Sequence, residues 1–343
     1  MSSSKVVAAL ICSFAVFPAI SGCQPKAISD NLVTNPSIEE ALDQSGMPRG
    51  WSFSVDSGNY KHDRVESCQS GKYALVVAGA GGAAEVQTNA APVHEGVVLE
   101  CEAWLQTKLV KDASPTLFAK FTNGDKVVRS APIRINPKFT DWQRIRFYCT
   151  PAKDSSVSLG IRLNGEGLVR IDDVSIKPAP NLFPAELTTA NTFEDVNAKG
   201  ELNEWTYITR TKSQKFKVVK DSGSPIFRME GNGGWSVLCS KRGITSKPSK
   251  IIFQAACRCT SGAASIKLDY IKNNWCFAST NSAKATSEWT FISVESEPEK
   301  VAEAEAIRIT LSAAGEGNFE GEFDSVEAFI QDDEPPAEIK KEE

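Results

Sequence analysis

The chain has 343 residues, with 38 Lys and Arg against 43 Asp and Glu, a net charge of −5 and only two histidines. Outside the Lys340-Lys341 pair no basic block appears, so the concentrated cationic face that a phosphate backbone requires is missing and nucleic acid is not an expected partner. His62 and His94 form no metal-spaced pair, and without a Gly-x-Ser-x-Gly elbow or a phosphate loop the sequence gives no support to metal-assisted or triad hydrolysis.

In chain order, the first segment reads as a processing signal. Lys5 supplies a positive start, and Val6 to Ile20 form an apolar run broken by Ser13 and Pro18. That run is shorter than the roughly 20 apolar residues a spanning helix needs. It ends in Ile20-Ser21-Gly22-Cys23, which resembles the lipobox of bacterial lipoproteins, where an aliphatic residue and two small ones precede a Cys that is diacylated. The resemblance implies a signal peptide over residues 1–22, lipidation of Cys23 and a tether over 23–30. An ordinary secretory signal cut near Ala19 is the alternative. Gln24 after the Cys favours an outer membrane or cell-surface destination. No other apolar stretch approaches a membrane span, so the membrane is expected as a partner only through this N-terminal lipid anchor, on an exported envelope protein.

From residue 31 onward strand signals dominate. Val97, Leu99, Cys101, Ala103 and Leu105 alternate with Glu100, Glu102, Trp104 and Gln106. Residues 144–149 and 156–163 show the same period of two, and turns are marked by Ser70-Gly71, Asn123-Gly124-Asp125 and Asn164-Gly165-Glu166-Gly167. Short strands with hardly a helical stretch predict an all-β sandwich or jelly roll.

The pattern then repeats after about 150 residues, a separation well above solenoid periods. Asn31-Leu32 returns as Asn181-Leu182, Ile38-Glu39 as Phe193-Glu194 and Gly50-Trp51 as Glu204-Trp205. Asp141-Trp142 returns as Glu288-Trp289, Ile161-Arg162-Leu163 as Ile307-Arg308-Ile309, Gly165-Glu166-Gly167 as Gly315-Glu316-Gly317, and Asp173-Val174 near Asp324-Ser325-Val326. The expected organisation is a module over 31–177, a short stiff linker over 178–180, a second, degenerate module over 181–330 and a charged, disordered tail over 331–343.

Of nine cysteines, Cys12 leaves with the signal and Cys23 carries lipid. No C-x-x-C occurs among the rest. Cys257 and Cys259 share one strand face, a poor geometry for bonding to each other. Cys101 and Cys149 lie on apolar strand faces, as buried thiols or as a cross-strand disulfide.

Asn31-Leu32-Val33-Thr34-Asn35-Pro36-Ser37-Ile38-Glu39, Pro48-Arg49-Gly50-Trp51, Ser70-Gly71-Lys72-Tyr73-Ala74-Leu75, Leu99 to Thr107, Asp141-Trp142-Gln143-Arg144 and Val169 to Ile176 occur in that order. Together they resemble carbohydrate-binding modules of families four and nine, within the galactose-binding-like jelly rolls. The second module keeps Asn191-Thr192-Phe193-Glu194, Trp205, Trp289 and Asp324-Ser325-Val326, with Cys257 expected at the place of Trp104. The resemblance implies two tandem jelly-roll β-sandwich domains, a non-catalytic role in binding polysaccharide or glycan, and a structural Ca²⁺. The calcium ligands it implies are Glu39, Asp172 and the Ser70 to Lys72 turn, with Glu194 and Asp324 as second-module counterparts. Ca²⁺ favours such sets of hard oxygens; the alternative is that these carboxylates are solvated strand ends.

Sugar recognition needs an aromatic face for the pyranose C–H surface and planar polar groups for hydroxyls. Trp104, Glu102 and Gln106 share a strand face, Arg162 and Asn164 lie on the polar face of another strand, and Tyr60 falls in a polar loop. These are the candidate ligand residues of the first module, expected to line one concave sheet, with a core position as the alternative for Trp104. In the second, Trp235 after Gly233-Gly234 and Trp275 after Asn273-Asn274 are the candidates. No catalytic residue is assigned and no enzyme is expected. The alternatives are a structural or adhesive protein with envelope proteins as partners and, third, a glycoside hydrolase working through two carboxylates.

Overall fold

A computed structural model describes residues 31–109, 114–136, 138, 140–151, 153–185, 202, 204–211, 213–221 and 224–331. The signal segment, Cys23, the tether, Glu194 and residues 332–343 lie outside the described residues. No described helix is long and apolar enough to cross a membrane.

Period-two alternation becomes strands whose apolar set is buried. The first module contains β1 (Trp51–Val65), β2 (Ala74–Thr88), β3 (Ala91–Val93), β4 (Leu99–Leu109), β5 (Ser114–Asn123), β6 (Lys126–Arg134), β7 (Gln143–Cys149), β8 (Ser155–Asn164) and β9 (Gly167–Pro178). Their order is β6-β5-β8-β2-β9-β4-β7, with β1 on β2 and β3 on β8. β2 joins two layers, because Leu75 to Gly79 pair with β9 whereas Ala83 to Gln87 pair with β8. Around that bend β1 shifts register between Val55 and Asn59, and a Cβ on Gly82 would fall 2.3 Å from the Ser57 carbonyl oxygen. Glycine there lets the two backbones meet. The result is a front sheet (β6-β5-β8 and the end of β2) packed on a back sheet (β7-β4-β9 and the start of β2). Leu117, Phe121, Val86, Leu159 and Ile161 face Leu75, Leu99, Leu105, Phe147 and Ile171 in a single core.

The second module contains β10 (Leu182–Pro184), β11 (Trp205–Thr209), β12 (Lys215–Asp221), β13 (Ser224–Ser240), β14 (Lys250–Ser261), β15 (Ala263–Lys272), β16 (Trp275–Asn281), β17 (Thr290–Glu295), the short helix α1 (Pro298–Glu303) and β18 (Ala306–Gln331). β15 and β16 take the places of β5 and β6, β13 that of β2, β14 that of β4 and β17 that of β7, while β18 runs through the places of both β8 and β9. The chain is therefore all-β, two tandem jelly-roll sandwiches.

The register corrects two of the expected echoes. Leu117 pairs with Ile161 as Ile266 pairs with Leu311, so Arg162 corresponds to Ser312 and not to Arg308. Trp104 lies opposite Asp172 after a register shift, as Ala256 lies opposite Asp324, so Ala256 stands at the place of Trp104 and Cys257 at that of the core residue Leu105. The second module also runs to Gln331, one residue past its expected end.

The linker is drawn into structure, with Pro178 paired to Leu99 and the Ala179 N–H donating to the Val98 carbonyl at 2.8 Å. Val98, Leu182, Ile252 and Phe329 form a small core between the modules. The Gln254 amide hydrogen-bonds both the N–H and the carbonyl of Tyr148 on edge strand β7, at 3.1 and 2.8 Å. Arg134 and Arg258 flank the Trp289 ring at 5.0 and 4.9 Å. Cys101 and Cys149 are fully buried thiols with sulfurs 3.7 Å apart.

Candidate functional site

The outer face of the front sheet carries a cavity of about 330 Å³. Alternation supplies its lining: Glu85 from β2, Arg162 and Asn164 from β8, Thr116, Phe118 and Lys120 from β5, and Ser130, Pro132 and Arg134 from β6. The last wall residue, Asp324, belongs to β18 of the second module. Gly160 lies beneath the Phe118 ring. A Cβ there would lie 2.5 Å from Phe118 Cζ, so the missing side chain leaves room for the ring to lie flat on the sheet. The Lys120 ammonium caps that ring at 4.8 Å.

Every charge in this lining has an opposite neighbour. Lys120 pairs with Glu85, and Arg162 reaches both Glu85, at 3.7 Å, and Asp56 on the rim. Arg134 Nε donates to Asp324 Oδ2 at 2.9 Å across the module boundary. Burial pushes the Asp324 carboxyl above the ordinary carboxylate range even beside Arg134, as expected where desolvation outweighs the attraction of one cation. The cavity thus offers neighbouring carboxylates, guanidinium forks, hydroxyls and an amide around a small apolar floor.

Of the residues expected to bind ligand, Arg162 and Asn164 meet in this cavity. Glu102, Trp104 and Gln106 do share one face, but it is the outer face of the back sheet. There Glu102 accepts from Arg144 and Arg146 at 2.7 and 2.9 Å, and these two hold its carboxyl low against the opposing effect of burial. Gln106 is tied to Thr140 and Arg170. Tyr60 is a correction: it lies within β1, is 7% exposed, and its hydroxyl donates to the Gly82 and Gly165 carbonyls, so it is a core residue that closes the bend in β2. Trp235 and Trp275 are 41% and 79% exposed, Trp275 just past a two-residue turn in which Asn273 and Asn274 both have positive φ.

The expected calcium set comes together in the first module, but with donors facing inward. The N–H groups of Lys72 and Tyr73 donate to Glu39 Oε1 at 2.7 and 2.9 Å, and those of Gln69 and Ser70 to Asp172 Oδ2 at 2.9 and 3.1 Å. A cation needs oxygen lone pairs where these N–H groups point, so this turn does not fit Ca²⁺. The two N–H bonds lower the Glu39 carboxyl, whereas burial raises that of Asp172 to about 6 despite its three backbone donors. In the second module Asp324 stands where Asp172 does but faces Arg134, so its expected metal role is replaced by the ion pair.

Sequence reasoning missed Glu85, Lys120, Arg134 and the contribution of Asp324 to the first module's site. Lys120 and Arg134 carried a usable signal, since both occupy polar positions of alternating strands beside Arg162. On the equivalent face of the second module a hydrogen-bonded group closes the floor. Asp269, at the place of Lys120, accepts from Ser279 and Thr310 at 2.5 and 2.7 Å, and Thr310 stands where Gly160 opens the floor.

No family model and no curated protein sequence matches the chain. Among solved structures, the tandem family 22 carbohydrate-binding modules of Paenibacillus barcinonensis Xyn10C share 14% identity over 89% of this chain and 100% of that one, with a TM-score of 0.33. A family 61 module, TmCBM61, in complex with β-1,4-galactotriose shares 16% identity over 44% of this chain and 99% of that one, at a TM-score of 0.31. A family 4 module shares 16% identity over 43% and 99%, at 0.32.

Proposed function

We propose that this chain is a non-catalytic glycan-binding protein whose site is the front-sheet cavity of the first module. The observation that carries the reading is the lining itself. Arg162, Asn164, Glu85, Arg134 and Asp324 present planar or forked polar groups around the buried Phe118 and the half-buried Pro132, a polar rim that orients hydroxyls by hydrogen bonding. Both carboxylates are held in place by cations, Glu85 by Lys120 and Arg162 and Asp324 by Arg134, which fixes them to accept hydrogen bonds from sugar hydroxyls. The lipobox-like Cys23 supports placing this activity on a lipid-anchored envelope protein.

The test is affinity electrophoresis of the chain from residue 24 onward through gels containing β-glucan, xylan, mannan or galactan. Retardation by at least one polymer is expected, lost in Arg162→Ala; no retardation by any of them refutes the reading. Labelling with an alkyne fatty acid is expected to mark the full-length chain and to disappear in Cys23→Ser. A protein-binding role is favoured by one observation only, the exposure of Trp275 and Phe277 along β16, at 79% and 39%. A specific envelope partner captured in the presence of excess glycan and lost in Trp275→Ala would support that role.

A further inference from the structure

The cavity is built by two modules, and this bears on which part of a glycan it takes. Its lining crosses the front sheet in the order β2, β8, β5, β6, a span of about 14 Å at normal strand spacing. Beyond edge strand β6 an isolated sandwich would be open to solvent. Here β18 of the second module stands against that edge: Asp324 bonds Arg134, the Ser325 hydroxyl donates to the Pro132 carbonyl, and Glu327 Oε1 accepts from Arg129 at 2.6 Å. Lys138 and Glu288 add a contact at 2.6 Å on the exposed side. The groove therefore runs into a wall. Its volume, about 330 Å³, is at the small end of ligand sites, room for very few sugar rings. Its charges are mutually compensated, so a carboxylated or sulfated sugar would have to displace Glu85 or Asp324 from its cation, whereas a neutral hydroxyl can share them.

We propose that the cavity is a blind-ended site for the terminus of a neutral glycan chain, with Asp324 and Arg134 contacting the terminal ring and the chain leaving over β8 and β2. This rests on the carbohydrate reading above. Asp324 occupies the place that Asp172 holds in the first module, so a position spent on a local turn in one module completes a ligand site in the other.

Isothermal titration of the chain with cello-, xylo-, manno- and β-1,4-galacto-oligosaccharides of increasing length, and with the matching polymers, tests this without any variant. The expected result, for whichever series binds, is one protein per glycan chain at every length, with affinity reaching a plateau after a few units. A number of bound proteins that rises with chain length overturns the blind end while leaving glycan binding intact. Absence of heat with every series refutes the carbohydrate reading and the blind end with it. Asp324→Asn is expected to weaken the retained oligosaccharide by about 10- to 100-fold, the value of a hydrogen bond to a charged group. Asp172→Asn, outside the cavity, is expected to leave it unchanged; equal losses in both variants would contradict direct contact by Asp324.

Discussion

The two front sheets share a strand order and differ in what their outer faces carry. In the first module Gly160 and Phe118 open a floor that Glu85, Lys120, Arg134 and Arg162 surround; in the second, Thr310, Lys267, Val237, Asp269 and Ser312 stand at the matching places of Gly160, Phe118, Glu85, Lys120 and Arg162. One face has a cavity and, among the described residues, no exposed aromatic ring, the other an exposed Trp235 and a surface closed by the Ser279, Asp269 and Thr310 hydrogen bonds. The two modules keep the matching positions Leu117 and Ile266, and Leu105 and Cys257, buried and apolar, while their outward positions differ in charge and size. The second module then contributes to ligand binding through its flank, at Asp324, and not through its own front sheet.

The sharpest way to break this comparison is at that flank. Asp324→Ala removes the carboxylate that pairs with the largely buried Arg134 across the module boundary, and the expected cost is about 3 to 5 kcal/mol in urea unfolding, the usual penalty for removing one partner of a buried pair. A loss below about 1 kcal/mol would mean that the modules do not meet here in solution.

Asp172, the matching carboxyl, is expected to act through pH. Its folded pKa of about 6 lies above the ordinary value of 3.8, so the folded state binds its proton more tightly. That contribution is complete below about pH 3.8 and is lost as pH rises through about 6. It is measurable as the difference in unfolding free energy between the parent chain and Asp172→Asn, which is expected to shift against the parent as pH rises from about 4 to about 6. A difference that does not change with pH would show that the Gln69, Ser70 and Asp173 N–H groups balance the burial.

Third, Arg162→Ala is expected to cost about 1.5 to 3 kcal/mol in glycan affinity, whereas Ser312→Ala at the matching place costs nothing measurable. Equal effects would place binding on both modules. For Trp104→Ala the expected change in affinity is likewise less than about twofold, because its ring lies on the outer face of the opposite sheet.

Much of this architecture was legible from alternation. Leu99, Cys101, Ala103 and Leu105 are all without exposure, and the Gly-Glu-Gly echo predicts the place of Gly315 in the strand register. The site was half legible. Arg162 and Asn164 were recognisable as outward polar positions, but period two reveals only that a residue faces out, not from which of two sheets. Trp104 and Arg162 were therefore placed on one surface although a core separates them. Tyr60 was misplaced because a glycine-rich bend inside paired strands resembles a loop. The pairing of Asp324 with Arg134 links residues 190 apart across two modules, which no local pattern contains.

The most direct test of the central claim is a crystal structure of the chain soaked with an oligosaccharide it retains. A sugar is expected between Arg162 and Asp324, with the chain leaving toward β2. A sugar seated on Trp235 or Trp275, or on the Trp104 face, with the front-sheet cavity empty, would contradict it.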